Sequence, residues 1–256
     1  MPRRKMRKGI CHICGNYGDL TYDHVPPQKA FNDRKFYTAS GQDIIGLGPD
    51  EYSKGKCFQG GIGYYSLCPR CNNVTGSWYG SDFVKWSHEA KEILLKSKGS
   101  PKLIYPYTIY PLRIIKQIVT MFLSATNRGF AEAHPNLTHF VLNKLEKNLP
   151  PKYRFFIYYN LVGKFRKTGV ACLLNLKTGS SSILNEINYP PFGYVITLDS
   201  EPPKKFLVEI THFSHYGYYE RKEIWLKLPV LPTYLPYPGD YRTREEIYNQ
   251  AKESSM

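Results

Sequence analysis

Four cysteines stand in two tight pairs, Cys11-His-Ile-Cys14 and Cys68-Pro-Arg-Cys71. Each pair presents two thiolates from one turn, and together they supply the four soft ligands of a tetrahedral Zn²⁺. Four protein ligands leave no open coordination position, so such an ion holds a fold and does no chemistry. His12 could substitute as a ligand, although an exposed side chain is the simpler reading. Between the pairs stands Asp23-His24-Val-Pro26-Pro27, and directly on the second pair Asn72-Asn73-Val-Thr75-Gly76-Ser77. A histidine can take a proton from water near neutral pH. One carboxylate and one amide oxygen suit a hard cation such as Mg²⁺, which keeps waters and phosphate oxygens for its other positions. Phosphodiester hydrolysis needs that set: a base, and charge stabilisation on the phosphate and on the leaving oxygen. The competing reading makes His24 a buried brace for the Pro26-Pro27 turn and the asparagines helix caps.

The order Cys-x-x-Cys-Gly, then Asp-His-hydrophobic-Pro-Pro, then Leu-Cys-x-x-Cys-Asn-Asn-x-x-Gly-Ser covers about residues 9–80. It resembles the zinc-containing HNH endonucleases, whose core is a ββα-metal unit. The resemblance implies His24 as general base, Asp23 and Asn72 as ligands of a catalytic Mg²⁺ or Mn²⁺, and a structural Zn²⁺ on Cys11, Cys14, Cys68 and Cys71. It also implies nucleic acid, with DNA favoured, as substrate. The middle asparagine, which orients the histidine in relatives, often lies a few residues before the second knuckle, but that stretch is Gly61-Ile-Gly-Tyr-Tyr-Ser-Leu67 here. Asn32 and Asn73 are the candidates, with Asn32 favoured. Thr75 replaces the Lys or His often found three residues after the knuckle asparagine.

The elements that must position these residues can be read from periodicity. Residues 1–8 form a basic arm whose Arg3, Arg4 and Lys5, with Arg70, are candidate phosphate contacts; solvated ends are the equal alternative. Residues 9–80 read as short strands and loops, with a long loop over 40–60. Ser81 is a good N-cap for a helix through Phe83, Trp86, Ala90 and Leu94, stopped by Gly99-Ser100-Pro101. Trp78, Tyr79, Phe83 and Trp86 should pack that helix onto the knuckles. Residues 101–111, with three prolines, read as a domain boundary. A second helix spans Tyr110–Arg128 with Gly129 as its stop, and a third runs from Pro135 to about Lys147. After Pro151 the period changes to two, giving strands over residues 153–159, 164–176, 182–187, 194–198, 206–213 and 223–228. KTGSSS and DSEPPKK read as hairpin connections, and REEIYNQAKE as a short terminal helix. The expected fold class is α+β: a zinc-stapled HNH domain over 9–98, then an α+β domain over 105–256 with two helices and an antiparallel sheet.

Thirty-five Lys and Arg against 21 Asp and Glu give a net charge of +14, which favours a polyanionic partner. No apolar stretch approaches the ~20 residues of a membrane span, and no apolar core follows the basic N-terminus. A reducing cytosol is therefore expected, where paired cysteines mean metal and not disulfide. Cys57 and Cys172 lack partners at metal spacing, and Cys172, in an apolar strand, is expected in the core. His212 and His215, at i and i+3 on an expected strand, would point to opposite faces and read as local polar structure. Tyr216, Tyr218, Tyr219 and Arg221, and the bases Lys152, Arg154, Lys164, Arg166 and Lys167, could line a nucleic-acid surface or simply face solvent. Three functions remain open: a metal-dependent endonuclease, a catalytically inactive zinc-stabilised nucleic-acid-binding protein, or a subunit of a bacterial defence or mobile-element system, antiviral defence included. In the last, residues 105–256 dock a protein partner or a second copy.

Overall fold

Turn residues cut the first seventy positions into short elements: β1 (Arg7–Ile10), β2 (Tyr17–His24), β3 (Phe36–Thr38), α1 (Gly41–Ile44), β4 (Lys56–Phe58) and β5 (Gly63–Leu67). The computed structural model describes residues 7–53, 55–174 and 179–254. Arg3, Arg4 and Lys5 therefore lie outside the described residues. Strands β1, β2 and β5 form an antiparallel sheet in that order, with Leu20 opposite Arg7 and His24 opposite Gly63. The stretch 40–60 is more ordered than the loop expected there. Ser40 and Asp43 close a capping box on α1, and β3 pairs with β4 so that Tyr37 faces Cys57.

The next helix begins earlier than Ser81. It opens as α2 (Pro69–Thr75), passes through a π-helical turn at Gly76–Gly80, and continues as α3 (Ser81–Lys96). Cys68 is the N-cap, its Sγ accepting from the Cys71 N–H at 3.5 Å. Pro69 takes the first helical position, where a missing N–H costs nothing. Asn72 and Asn73 therefore sit inside the helix and do not cap it. Lys98 and Gly99 turn to positive φ and end it. The expected boundary at 101–111 is a strand, β6 (Lys102–Ile109). Three helices follow: α4 (Pro111–Ala125), α5 (Arg128–Ala133) and α6 (Pro135–Leu142). Gly129 is not the stop but lies within α5. The turn comes at Thr126, in extended backbone, after which Asn127 caps α5 through the Phe130 N–H.

The second half builds β7 (Tyr153–Tyr159), β8 (Arg166–Leu174), β9 (Ser181–Tyr189), β10 (Phe192–Leu198), β11 (Val208–Glu209), β12 (Lys222–Pro229) and α7 (Arg244–Ser254). An antiparallel five-stranded sheet runs β11-β7-β10-β9-β8. DSEPPKK is thus no hairpin, because β11 pairs with β7 and not with β10. Strand β12 pairs with β6 outside that sheet, setting Trp225 opposite Pro106. A two-stranded ladder has only edges, so it accepts a proline. Of the strand expected over 206–213 only Val208–Glu209 is strand, and a 3₁₀ turn begins at Thr211 and runs to His215. Residues i and i+3 eclipse there, so His212 and His215 share a side, yet they join no carboxylate in a metal-like cluster. Cys172 is exposed and not in the core, since β8 is the sheet edge.

Helix α4 is apolar nearly all round, and every residue in it but Arg113 is buried. One side meets the five-stranded sheet, with Phe122 and Phe155 ring centres 6.3 Å apart. Its C-terminal end meets the small sheet, where Ser124 and Ser66 hydroxyls lie 2.7 Å apart. Helix α3 rests on the same large sheet: Trp86 stacks on Phe192 at 4.1 Å and Phe83 packs on Tyr194 at 5.9 Å. One apolar cluster therefore runs from Cys11 to Leu228, across residues 99–104. Among the described residues no helix is long and apolar enough to cross a membrane.

The bases of the large sheet are committed to internal partners. Arg166 and Glu186 form a buried ion pair at 2.8 Å, and Arg166 also donates to the Leu235 and Asp240 carbonyls, stapling the proline-rich tail. Lys164 donates to the Gly48 and Glu51 carbonyls, Lys167 to that of Ala125, and Arg154 pairs with Glu201 and Glu209. Tyr218 is likewise engaged, its ring 4.3 Å from the Arg113 guanidinium, which itself pairs with Asp82.

The third helix stops at Leu142 and not Lys147, and Lys116 meets its end. The buried amine donates to the Phe140 carbonyl and, at 2.8 Å, to that of Asn143. Burial pushes Lys116 down from its ordinary 10.5 to about 7, with Glu146 pulling the other way. Between about 7 and 10.5 the unfolded chain holds a proton that the folded chain lacks, so stability rises with pH across that window. In Lys116→Met that slope should flatten in urea titrations run from pH 7 to 10. The Phe140 carbonyl loses its donor, while that of Asn143 keeps the Glu146 N–H, so the loss should cost about 1–3 kcal/mol at pH 7.

Candidate zinc and histidine site

The first knuckle is a turn closed by Gly15 N–H to Cys11 O at 2.9 Å, with Gly15 at φ +74°. The His12 N–H reaches the Ser66 carbonyl at 2.9 Å, which ties this knuckle to β5 just ahead of the second. The sulfurs of Cys11, Cys14, Cys68 and Cys71 all lie within 4.8 Å of one another, and Cys14 and Cys68 are 3.8 Å apart. Zn–S bonds of ~2.3 Å set at tetrahedral angles require sulfurs about 3.8 Å apart. The quartet thus fits a structural Zn²⁺. A hydrogen bond from Cys71 pulls the Cys11 thiol down to about 4, and the same contact raises Cys71. His12 is neither a ligand nor exposed: its Nδ1–H donates to the Leu123 carbonyl at 2.9 Å, locking the knuckle to α4. Among the described residues no other group of three or more His, Cys, Asp or Glu gathers in this way.

Asp23 and His24 close strand β2. The His24 Nε2 lies 3.0 Å from the Gly60 carbonyl, which can only accept. That nitrogen therefore carries a proton. Tyr22 meets the imidazole edge-on, with ring centres 5.1 Å apart. The Gly60 carbonyl is set by a tight turn. Gly61 has φ +100°, and a Cβ there would come within 1.9 Å of the Asn32 carbonyl oxygen, so only glycine fits.

Asn32 is fully buried and clamps that turn. Its amide nitrogen donates to the Pro26 and Ile62 carbonyls, each at 2.7 Å, and its oxygen accepts from the Ile62 N–H at 2.7 Å. It holds the histidine's support. Asn32→Ala would orphan two buried backbone groups, the Pro26 carbonyl and the Ile62 N–H, while the Ile62 carbonyl keeps the Val25 N–H. It should lower stability by about 2–3 kcal/mol in chemical denaturation while zinc content stays unchanged.

Burial pushes the Asp23 carboxyl up to about 6, and hydrogen bonding to Ser124 opposes the shift. No ion pair reaches Asp23 among the described residues. The side chains of Asp23 and His24 thus go to different partners, Ser124 on α4 and the Gly60 carbonyl. The bulge in β2 lies between Thr21 and Tyr22, upstream of both. Asn72 anchors α2 to the same strand, its amide nitrogen donating to Thr21 Oγ1 at 2.9 Å. That leaves its Oδ1 as the acceptor end of the side chain. Arg70 is exposed on α2, and Thr75 is buried, its hydroxyl bonded to the Cys71 carbonyl. Thr21, Ser124 and the Gly60 carbonyl escaped the sequence reading. The Gly60-Gly61 pair was a visible turn signal, but nothing local marks Ser124 as a neighbour of Asp23.

No family model, curated protein or solved structure matches the chain.

Proposed function

We propose that the protein is a metal-dependent phosphodiesterase of the HNH type, acting on nucleic acid and by resemblance on DNA. The observation that carries the reading is the placement of His24 at the end of a strand stapled by the cysteine quartet, its Nε2–H held by the Gly60 carbonyl so that proton transfer would fall to Nδ1. The order of two antiparallel strands and a helix, β2, β5 and α2, supports it. His24 Nδ1 takes a proton from water, whose oxygen forms a new P–O bond as the bond to the leaving sugar oxygen breaks. The donor set fits a hard cation. Asp23 is a carboxylate with a hydroxyl donor and no cationic side chain, and Asn72 has an amide oxygen to spare. Mg²⁺ or Mn²⁺ held there would supply charge stabilisation on the phosphate. Asn32 holds the loop that orients His24.

The divergent partners of Asp23 and His24 favour a second reading, a zinc-stabilised nucleic-acid-binding protein without the chemistry. A plasmid-nicking assay with Mg²⁺ and Mn²⁺ titrated separates the two. Nicking that depends on the cation supports the enzyme. Retention of DNA with no nicking at any cation concentration leaves the binder.

A further inference from the structure

The β3–β4 hairpin hangs from the same loop that holds His24. Its outward pair is Tyr37 and Cys57; its inward Phe36 packs on Tyr189 at 5.6 Å, and Lys56, on the Phe36 side but exposed at the end of the hairpin, lies over the Phe58 ring. The inner face is therefore docked on the large sheet while the outer face is bare. Tyr37 is 66% exposed, open to a planar partner. The Lys35 amine stands 5.1 Å from its ring centre. Residues 25–38 and 55–63 hold Lys29, Arg34, Lys35 and Lys56 against the single acid Asp33. Lys91 on α3 lies near enough to Arg34 to feel its repulsion. Among the described residues none of these five bases forms an ion pair. Cations brought together without acids mark a place for an anion.

The hairpin is also in reach of the histidine. Lys56, Cys57 and Phe58 lead directly to Gly60, so the Tyr37–Cys57 pair is within about 11 Å of chain from the carbonyl that orients His24. A lone exposed ring flanked by bases suits a base face together with its phosphates, and a base offers its face only when unpaired.

We propose that the β3–β4 hairpin is a platform for unpaired nucleic acid, with Tyr37 stacking on a base and Arg34, Lys35 and Lys56 contacting phosphates beside His24. This deepens the nuclease reading and rests on it for the role of His24, but it can fail separately. The test is fluorescence anisotropy on the full chain with a labelled oligothymidine strand and a labelled blunt duplex of the same length. Tyr37→Ala should weaken strand binding about 5- to 150-fold, with duplex affinity unchanged, and Tyr37→Phe should restore it. The Lys35→Ala/Lys56→Ala double variant should lower the salt slope of strand binding by about 1.4, at ~0.7 per phosphate contact. Unchanged zinc content and melting temperature would exclude misfolding in these surface variants. The platform is overturned if the wild type does not bind the strand, if Tyr37→Ala binds it normally, or if strand and duplex weaken alike. Plasmid nicking on the same preparations keeps the two readings apart. Cleavage with Tyr37→Ala binding normally sinks the platform alone, and Tyr37-dependent binding without cleavage sinks the hydrolase alone.

Discussion

Cys71→Ser should take zinc from about one per chain to almost none and abolish cooperative unfolding of the N-terminal region. Zinc per chain by elemental analysis and thermal unfolding followed by tryptophan fluorescence would show it. The small sheet supplies little apolar surface: β1 has no buried residue and β2 only Leu20. What brings residues 11–14 against 68–71 is the sulfur quartet and the His12 links to Ser66 and Leu123. Structural zinc sites contribute apparent binding free energies of ~10–16 kcal/mol at neutral pH, far above what one hydrogen bond or methyl group returns. The loss should be selective. Most of the shared apolar cluster lies in α3, α4 and the five-stranded sheet, so their hydrogen exchange should stay slow while β1, β2 and the start of α2 exchange freely. Loss of zinc with no loss of protection in β2 would show that packing alone holds the strand carrying His24.

The cysteine pairs were legible because two Cys-x-x-Cys turns offer the four thiolates of one tetrahedral ion. The strands of the large sheet were legible from their period of two. What failed depends on partners distant in the chain. Ser81 has the side chain of a cap, yet Cys68 and Pro69 start the helix twelve residues earlier, and a π turn carries it past Ser81. Cys172 alternates like a core residue, but strand order puts β8 at an edge, and order is not written in a single strand's pattern. His212 and His215 were placed on opposite faces by assuming a strand, and the 3₁₀ turn reverses that. The bases of residues 154–167 look like a binding face until their acceptors are seen, carboxylates and carbonyls up to 116 positions away. At the candidate site, side-chain chemistry pointed to His24, and the family resemblance to Asn32 or Asn73. The Gly60 carbonyl, which takes the His24 Nε2–H, has no side chain to announce it.

His24→Ala should lower cation-dependent nicking by about 10²- to 10⁴-fold, the range for loss of a general base, with zinc content and melting temperature unchanged. The ring is half-buried at a strand end and makes its bond to a loop carbonyl, so truncation leaves one acceptor that water can reach. Binding of nucleic acid should persist, because no phosphate contact is assigned to the imidazole. His24→Asn separates the proton-transfer role from mere bulk. An amide can donate to Gly60 but cannot take a proton from water at neutral pH, so it should be as inactive as alanine while keeping the loop in place. A cut in stability equal to that of Asn32→Ala, with nicking retained, would return His24 to the role of a turn brace. Loss of nicking in both His24 variants at full zinc occupancy would make the imidazole the base. Asp23→Asn should then raise the Mg²⁺ concentration needed for half-maximal nicking in the wild-type His24 background, because it removes the one carboxylate offered to the cation.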